Sequence, residues 1–341
     1  MTWLIIISIV AILLYLLLRD QNNKSSKRTE AGDVNIIKKN SGSLHYSIND
    51  NYLRIDRPNF FGQCHVSPSK RYILGWSDFH YESGIGGYRE KGMGNYILIE
   101  SGKLVVRGEL ERPNDGKVSD TGTFIINDWM FSEGLKGTFY VFSNSGEIII
   151  KKLFKANLYN NGISADSKYA VCQTANSDYE PHSSILTIFD IHKRTSISEF
   201  KPQSGWARHY RFDSNNQIIE LIYDQGRSYR YKFDGTFLDF EKWENDRKTY
   251  GSGYDLHSIA ENQLKGLEGS ELTTYSESIE LLNGALEKGV SEYTQAKIHR
   301  LLGEIYNRCE KKEKAIEHLG MALKLNPKVG VKRLYDSLTK S

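Results

Sequence analysis

The stretch VSPSKRYIL, residues 66–74, shows the pattern on which most of this chain is built. It consists of an apolar residue, a short polar turn and a run of β-forming residues, which is typical of a tight hairpin. Three later stretches align with it: VSDTGTFII from Val118, ISADSKYAV from Ile163 and FDSNNQIIE from Phe212. Their first residues lie 52, 45 and 49 positions apart. A β-hairpin therefore recurs at a period typical of repeat proteins.

A second kind of hairpin lies within each repeat. Its four copies are YILIESGKLVV with a turn at Ser101-Gly102, FYVFSNSGEIII at Ser145-Gly146, LTIFDIHKRTSI at His192-Lys193 and YRYKFDGTFLDF at Asp234-Gly235. Glycine supplies the positive φ that short hairpin turns require. Two hairpins per repeat make a four-stranded antiparallel unit, and units of this length indicate propeller blades. VSPSKRYIL and LTIFDIHKRTSI resemble the two hairpins of WD-type blades, although the Gly-His and Trp-Asp signatures of that family are absent.

An extra hairpin, HYSINDNYLRID with its turn at Asn49-Asp50-Asn51, precedes the first full repeat. We therefore predict an all-β propeller-like domain of four to five blades over residues 43–245. A β-sandwich with coincidentally similar hairpins is the alternative.

The last part of the chain changes to a helical composition. AKIHRLLGEIYNRCEKKEKAIEHLGMALKLNP, from Ala296, resembles a tetratricopeptide repeat. The matching positions are Leu302, Gly303 and Tyr306 on the first helix, Ala315, Leu319 and Ala322 on the second, and Pro327 after it; His299 stands where the family usually has Trp. The resemblance implies one repeat over about 296–329, a second beginning at 254, and an all-α domain over 254–341. It also implies that Gly303 lets the second helix of the repeat pack closely against the first.

The N-terminal stretch TWLIIISIVAILLYLLL, residues 2–18, contains no charged residue. As a helix it would extend roughly 25 Å, close to the bilayer core of about 30 Å. The basic residues follow this stretch, so the positive-inside rule predicts an N-terminus outside and a cytoplasmic body. We predict a single-pass membrane protein with an anchor at 1–18 and a flexible basic linker at 19–42. A cleaved signal peptide is the alternative, but no basic residue precedes the stretch and no small-x-small site follows.

Charge and cysteine content exclude several classes of protein. The net charge is +3, and residues 1–42 carry all of it, because they hold six Lys and Arg against three Asp and Glu. The remaining residues are balanced, which argues against a nucleic-acid-binding surface. Three cysteines, an odd and sparse set, do not suggest a disulfide framework.

Three short stretches and the histidines resemble catalytic or binding sites, but a structural role explains most of these residues better. Asp120-Thr121-Gly122-Thr123 matches a string of aspartic proteases, but it has no second copy and coincides with a repeat turn. GIGGYREKGMG at 84–94 precedes a strand, so it lacks the helix N-terminus of a phosphate cradle; it remains a candidate binding loop. Cys64 and His65 are neighbours in a strand and point to opposite faces. The nine histidines show no metal-ligand spacing, and we predict no metal or other cofactor.

The tetratricopeptide resemblance implies a groove lined by the first helix of the repeat. The corresponding positions are Lys297, Arg300, Glu304, Asn307 and Arg308. Three cations on one helix face could receive an acidic peptide or a chain terminus. An ordinary solvated helix face is the alternative.

Both resemblances imply binding modules, so we predict a membrane-anchored cytoplasmic scaffold or adaptor that is not an enzyme. A propeller hydrolase or lyase with an acidic central channel and a ligand-sensing propeller are the alternatives. A groove with exposed aromatic side chains would favour the scaffold, and a cluster of carboxylates with raised pKa values would favour the enzyme. Partner identity and oligomeric state do not follow from the sequence.

Overall fold

The computed structural model describes residues 44–131 and 134–340. The chain divides into two compact units, and the boundary lies between Ser196 and Ile197.

The first unit is built from antiparallel strands that pair in chain order. They are β1 Tyr46–Asn49, β2 Tyr52–Ile55, β3 Phe60–Val66, β4 Tyr72–Ser77, β5 Gly94–Glu100, β6 Lys103–Leu110, β7 Pro113–Val118, β8 Phe124–Asp128, β9 Gly137–Phe142, β10 Ile148–Phe154, β11 Leu158–Ile163, β12 Tyr169–Thr174, β13 Leu186–Asp190 and β14 Thr195–Phe200. Strands β1–β6 form the first sheet, β7–β10 the second and β11–β14 the third. The boundary between the units falls within β14. This order of pairing confirms the predicted succession of blade-like hairpin pairs.

The turns that join β3 to β4, β7 to β8 and β11 to β12 share one geometry, which explains why the sequence repeats there. The turns close with backbone hydrogen bonds from Lys70 to Ser67, from Gly122 to Ser119 and from Ser167 to Ser164. The donor residue has a positive φ in each turn, of 61°, 83° and 60° respectively. Small polar residues favour such turns because their side chains bond the local backbone.

Neighbouring turns are also bonded to one another. The Ser69 N–H donates to Asp120 Oδ1 at 2.7 Å, and Ser167 Oγ donates to Ser119 Oγ at 2.6 Å. Hydrogen bonding from Ser69 lowers the pKa of Asp120. The aspartate of the protease-like string thus joins two structural turns.

Successive sheets bury aromatic side chains between them. Trp76, Leu98, Phe124 and Phe142 belong to a core shared by the first two sheets. Phe124 and Phe142 stack with ring centroids 4.8 Å apart. A second core, which includes Phe139 and Phe189, joins the second and third sheets. Apolar area buried between sheets is the main source of stability, at about 25 cal/mol per Å².

The hairpin β1–β2 extends the first sheet beyond β3 and contributes to a core on the other face of that sheet. Leu53 and Ile55 of β2 form a core with Ile73, Ile97 and Ile99 of β4 and β5. The extra hairpin therefore adds two strands and part of the apolar core to the first sheet.

The second unit begins with a three-stranded antiparallel sheet. Its strands are β15 His209–Asp213, β16 Ile218–Ile222 and β17 Ser228–Lys232. The predicted turn at Asp234-Gly235 is present, with a φ of 91° at the glycine, but only the isolated bridge between Tyr231 and Phe237 follows it. A helix begins at Phe240, so this repeat lacks a full fourth strand.

Six α-helices complete the described part of the second unit. They are α1 Phe240–Tyr250, α2 Gly253–Leu264, α3 Ser276–Glu287, α4 Glu292–Arg308, α5 Lys312–Leu325 and α6 Lys332–Lys340. A capping box, in which the Ser252 side chain bonds Asp255 N–H and the Asp255 side chain bonds Ser252 N–H, begins α2.

Helices α4 and α5 approach closely at Gly303. A Cβ placed on Gly303 would lie 2.7 Å from Leu319 Cγ and Cδ2. Ala315, Leu319 and Ala322 are completely buried. The close contact expected from the sequence is present, whereas the tetratricopeptide assignment and the boundaries at 245 and 254 remain predictions.

The membrane-anchored fold class requires correction. The predicted anchor at 1–18 and the linker at 19–42 lie outside the described residues. Within 44–131 and 134–340, no helix is long and apolar enough to cross a membrane. The longest α-helix described, α4, has 17 residues with charged side chains along it, and a membrane span needs about 20 apolar residues. This finding contradicts the predicted single-pass membrane location, and the fold is corrected to a β-propeller-like region followed by helices.

Candidate functional site

An aromatic pocket opens on the first sheet, within the first unit. Its volume is about 460 Å³. The residues that line it are Tyr52, Phe61, Gly62, Gln63, Trp76, Ser77, Asp78, Phe79, Tyr81, Pro113 and Asn114. We call this site the aromatic pocket.

Strand alternation places Tyr52 and Phe61 on the face opposite to the hairpin core. Tyr52 pairs with Gln63, so Phe61 is its diagonal neighbour across β2 and β3. The two rings stack with centroids 5.6 Å apart and an interplanar angle of 14°. Tyr52 is 43% exposed and Phe61 54% exposed. Together they form an aromatic wall that is open to solvent.

The buried part of the pocket is held by Trp76 on β4. Trp76 lies opposite Gln63 of β3, and its indole N–H donates to the Asn114 carbonyl of β7 at 2.9 Å. No residue with a side chain fits at position 62, because a Cβ there would lie 2.2 Å from the Trp76 carbonyl oxygen. The strand–strand contact and the indole bond therefore fix this part of the pocket.

The loop after β4 supplies the opposite wall. Phe79 and Tyr81 meet edge to face with centroids 5.3 Å apart. The Phe61 backbone N–H donates to the Tyr81 hydroxyl at 2.9 Å, which joins this loop to β3. Asp78 Oδ2 accepts from the Gly87 N–H at 3.0 Å, so the glycine-rich loop at 84–94 lies beside the pocket.

Arg89 holds the glycine-rich loop together. Its guanidinium donates to the carbonyl oxygens of Gly92, Gly87 and Glu111 at 2.7, 2.9 and 3.1 Å. Arg89 is buried, and burial lowers the pKa of its guanidinium. Because these N–H groups bond the protein's own backbone, Arg89 stabilises the loop and does not present a phosphate-binding cation.

The predicted groove residues all lie on α4, and two of them are bonded to each other. Arg300 Nε donates to Glu304 Oε1 at 2.9 Å, and Arg300 Nη1 donates to the Val329 carbonyl at 3.3 Å. Lys297 lies over the ring of Tyr293, with its Nζ 4.6 Å from the centroid. Arg308 is exposed, and Asn307 is half-buried. We call Lys297, Arg300 and Arg308 the α4 stripe; Glu304 compensates part of its charge, and its role as a binding groove stays a prediction.

Cys64 and His65 point to opposite faces, as strand alternation predicts. Cys64 lies in the hairpin core, and burial raises the pKa of its thiol to about 11. His65 Nδ1 accepts from the Val118 N–H at 3.1 Å. Burial, followed by the charge of Lys117, lowers the pKa of His65 to about 4. His65 is therefore neutral at physiological pH and acts as a structural acceptor.

His299 and His318 form a pair that the sequence spacing does not reveal. Their Nδ1 atoms lie 3.0 Å apart, and the His318 ring stacks on Tyr306 with centroids 5.4 Å apart. Burial lowers the pKa of both imidazoles. Across 44–131 and 134–340, no group of three or more His, Cys, Asp or Glu side chains is arranged to hold a metal ion.

Known proteins that resemble this chain were found by structure. No protein-family model matches the sequence, and no curated protein matches it. The structure is similar to the β-propeller domain of Cps50 (Swd1) from Myceliophteria thermophila, with 10% identity, a TM-score of 0.34, and coverage of 61% of this chain and 67% of that one. It is also similar to the WD40 domain of Neurospora crassa Pan2, with 11% identity, a TM-score of 0.35, and coverage of 60% and 66%.

This chain thus spans about two thirds of each of those two chains. Its blade-like architecture rests on the order of its strands and on the shared geometry of its turns.

Proposed function

We propose that this protein is a protein-interaction scaffold and that the aromatic pocket is a docking site for a partner protein. The observation that carries this proposal is the exposed wall formed by Tyr52 and Phe61. Aromatic side chains that are exposed beside a fixed pocket can bury a large area on binding at little cost in conformational entropy. Such residues commonly supply most of the binding energy of an interface.

The lining of the pocket favours a scaffold over a hydrolase. Asp78 is the one carboxylate among the residues that line the pocket. A hydrolase that uses carboxylates for acid–base catalysis needs a pair of them. Asp128, whose pKa is raised by burial, lies elsewhere and accepts from the Arg112 and Met130 N–H groups. Its role is structural.

Affinity capture from cell extract tests the proposal. We expect Phe61→Ser to reduce recovery of partner proteins at least about tenfold, since an aromatic residue at the centre of an interface contributes about 2 kcal/mol or more. Leu153→Ser is the matched control, because Leu153 is 51% exposed on β10 of the second sheet and lies outside the pocket. Equal recovery with both variants would contradict the proposal.

We also propose the α4 stripe as a second docking surface, for an acidic peptide or a chain terminus. Lys297 and Arg308 extend from the exposed side of α4, and opposite charge would attract such a peptide at low ionic strength. The Arg300–Glu304 pair lowers the net charge of the stripe, so we expect a weaker attraction than three unpaired cations would give.

A further inference from the structure

The geometry points to a methylated ammonium group, carried by a lysine side chain of the partner protein, as the ligand of the aromatic pocket. This inference rests on the proposed docking function and specifies the chemistry of the docked group. It follows from the rings, the charge, the hydrogen-bonding groups and the opening of the pocket.

The rings provide the attraction. Five of the eleven lining residues are aromatic: Tyr52, Phe61, Trp76, Phe79 and Tyr81. A cation is attracted to the face of an aromatic ring, and the best-known use of this attraction is the recognition of quaternary ammonium groups. The parallel pair and the edge-to-face pair place rings of two orientations around one cavity.

The charge of the lining has the sign that a cation requires. Asp78 carries the one formal charge among the lining residues, and none of them is Lys or Arg. Arg89 interacts electrostatically with Asp78, but its guanidinium bonds carbonyl oxygens of the glycine-rich loop and Glu111. An anionic ligand would find no cation in the lining with which to pair.

The hydrogen-bonding groups distinguish this ligand from a proline-rich peptide. A proline-rich segment presents carbonyl oxygens and docks in aromatic grooves, where a donor such as an indole N–H would bond them. Here the Trp76 indole N–H already donates to Asn114. A trimethylated ammonium has no N–H to satisfy, so the ring faces of the pocket suffice to hold it.

The opening of the pocket favours a group at the end of a side chain. A volume of about 460 Å³ lies in the range of roughly 300–1,000 Å³ found for small-ligand sites. Tyr52 and Phe61 are both more than 40% exposed, so the remainder of a polypeptide could lie outside the pocket. A lysine side chain is long enough to reach from such a chain into the cavity.

Calorimetric titration of the purified protein tests the inference with four probes. The first is the peptide Ala-Ala-Lys-Ala-Ala with a trimethylated lysine; the second is the same peptide unmodified. The third replaces the trimethylammonium by an uncharged tert-butyl group of the same shape, and the fourth is free choline. We expect the trimethylated peptide to bind at least about tenfold more tightly than the other three probes, a difference of about 1.4 kcal/mol.

Variants locate the binding. Phe61→Leu keeps an apolar side chain but removes a ring, and should abolish the preference for the charged peptide over its uncharged analogue. Tyr52→Leu should act in the same direction, which provides a second test if one variant folds poorly. Leu153→Ser should leave the preference unchanged, since Leu153 lies outside the pocket.

The outcomes separate this inference from the proposed function. Equal binding of the charged and uncharged peptides would show a simple apolar site, and equal binding of choline would show a small-molecule site; either overturns the methyl-lysine inference. If no probe binds but Phe61→Ser still lowers partner recovery, the inference fails and the docking function stands. If no probe binds and Phe61→Ser also leaves partner recovery unchanged, both fail.

Discussion

The close contact between α4 and α5 predicts that the same Gly→Ala change has opposite effects at two positions. At Gly303, a new Cβ would lie 2.7 Å from Leu319 Cγ and Cδ2 and 3.2 Å from the Leu319 backbone nitrogen. Carbon atoms pack at about 3.5–4.0 Å, so the helices would have to move apart. At Gly320 on α5, the nearest atom to a new Cβ is Tyr335 Cε2 at 3.3 Å, which requires only a small adjustment.

The expected free energies follow from two opposing terms. Replacing a helical glycine by alanine favours folding by about 1 kcal/mol at either position. Overpacking at Gly303 opposes it by about 2 kcal/mol, within the usual 1–3 kcal/mol. We therefore expect Gly303→Ala to destabilise the helices by about 1 kcal/mol and Gly320→Ala to stabilise them by up to about 1 kcal/mol.

Urea unfolding followed by circular dichroism at 222 nm measures both effects, because the helices dominate that signal. A second measurement repeats Gly303→Ala in a Leu319→Ala background, in which the shortened side chain at position 319 leaves room for the new Cβ. There the substitution should become neutral or stabilising, since two changes in direct contact are not additive. Equal stabilisation by Gly303→Ala and Gly320→Ala in the wild-type background would refute the close approach of α4 and α5.

Two further perturbations test other parts of the structure. His65 has a folded-state pKa of about 4 against an ordinary 6.5, so between these pH values the unfolded chain binds more protons than the folded one. The free energy of unfolding therefore falls as the pH drops from about 6.5 to 4, by up to about 3 kcal/mol. His65→Asn keeps an acceptor for the Val118 N–H without titrating. Urea unfolding at pH 7 and pH 4.5 should show that the variant loses less free energy of unfolding on acidification than the wild type does. An equal loss in both proteins would contradict this role of His65. The double variant Arg300→Glu, Arg308→Glu should abolish the binding of a fluorescent oligo-aspartate peptide at low salt. It should change the free energy of unfolding by less than about 1 kcal/mol. Undiminished binding would exclude the α4 stripe as a docking surface.

Much of the secondary structure could be predicted because it depends on local chemistry. The turns at Lys70, Gly122 and Ser167 have one geometry, and the polar residues that encode it recur in the sequence. Gly303 was expected at a close helix contact for a similar reason, since only a residue without a side chain fits beside Leu319. In both cases a short stretch of sequence carries the constraint.

The aromatic pocket could not be predicted because it depends on which sheet face is left uncovered. Alternation in Phe60-Phe61 requires one ring on each face of β3, and this was the available signal. The sequence does not reveal that Leu53 and Ile55 of β2 share a core with Phe60, which leaves Phe61 beside Tyr52 on the opposite face. Pairing of β2 with β3 and the position of the β4–β5 loop are tertiary features.

The end of the β region differed from the prediction for a related reason. The residues after Gly235 contain Phe237, Leu238 and Phe240, which favour a strand by composition. Asp239, however, accepts hydrogen bonds from the Arg230 backbone N–H and guanidinium, and the helix α1 begins at the next residue. The hydrogen bonds to Asp239 connect residues that are nine positions apart. The hairpin pattern in the sequence does not specify such contacts.

Site-specific photocrosslinking tests the central claim most directly, because it reports where a partner touches the protein. The measurement places p-benzoylphenylalanine at position 61 or at position 153, irradiates cell extract, and compares the covalent adducts by mass spectrometry. The docking account predicts protein adducts from Phe61 in the aromatic pocket that are absent from Leu153 on β10. The same adducts from both positions, or none from position 61, would contradict it.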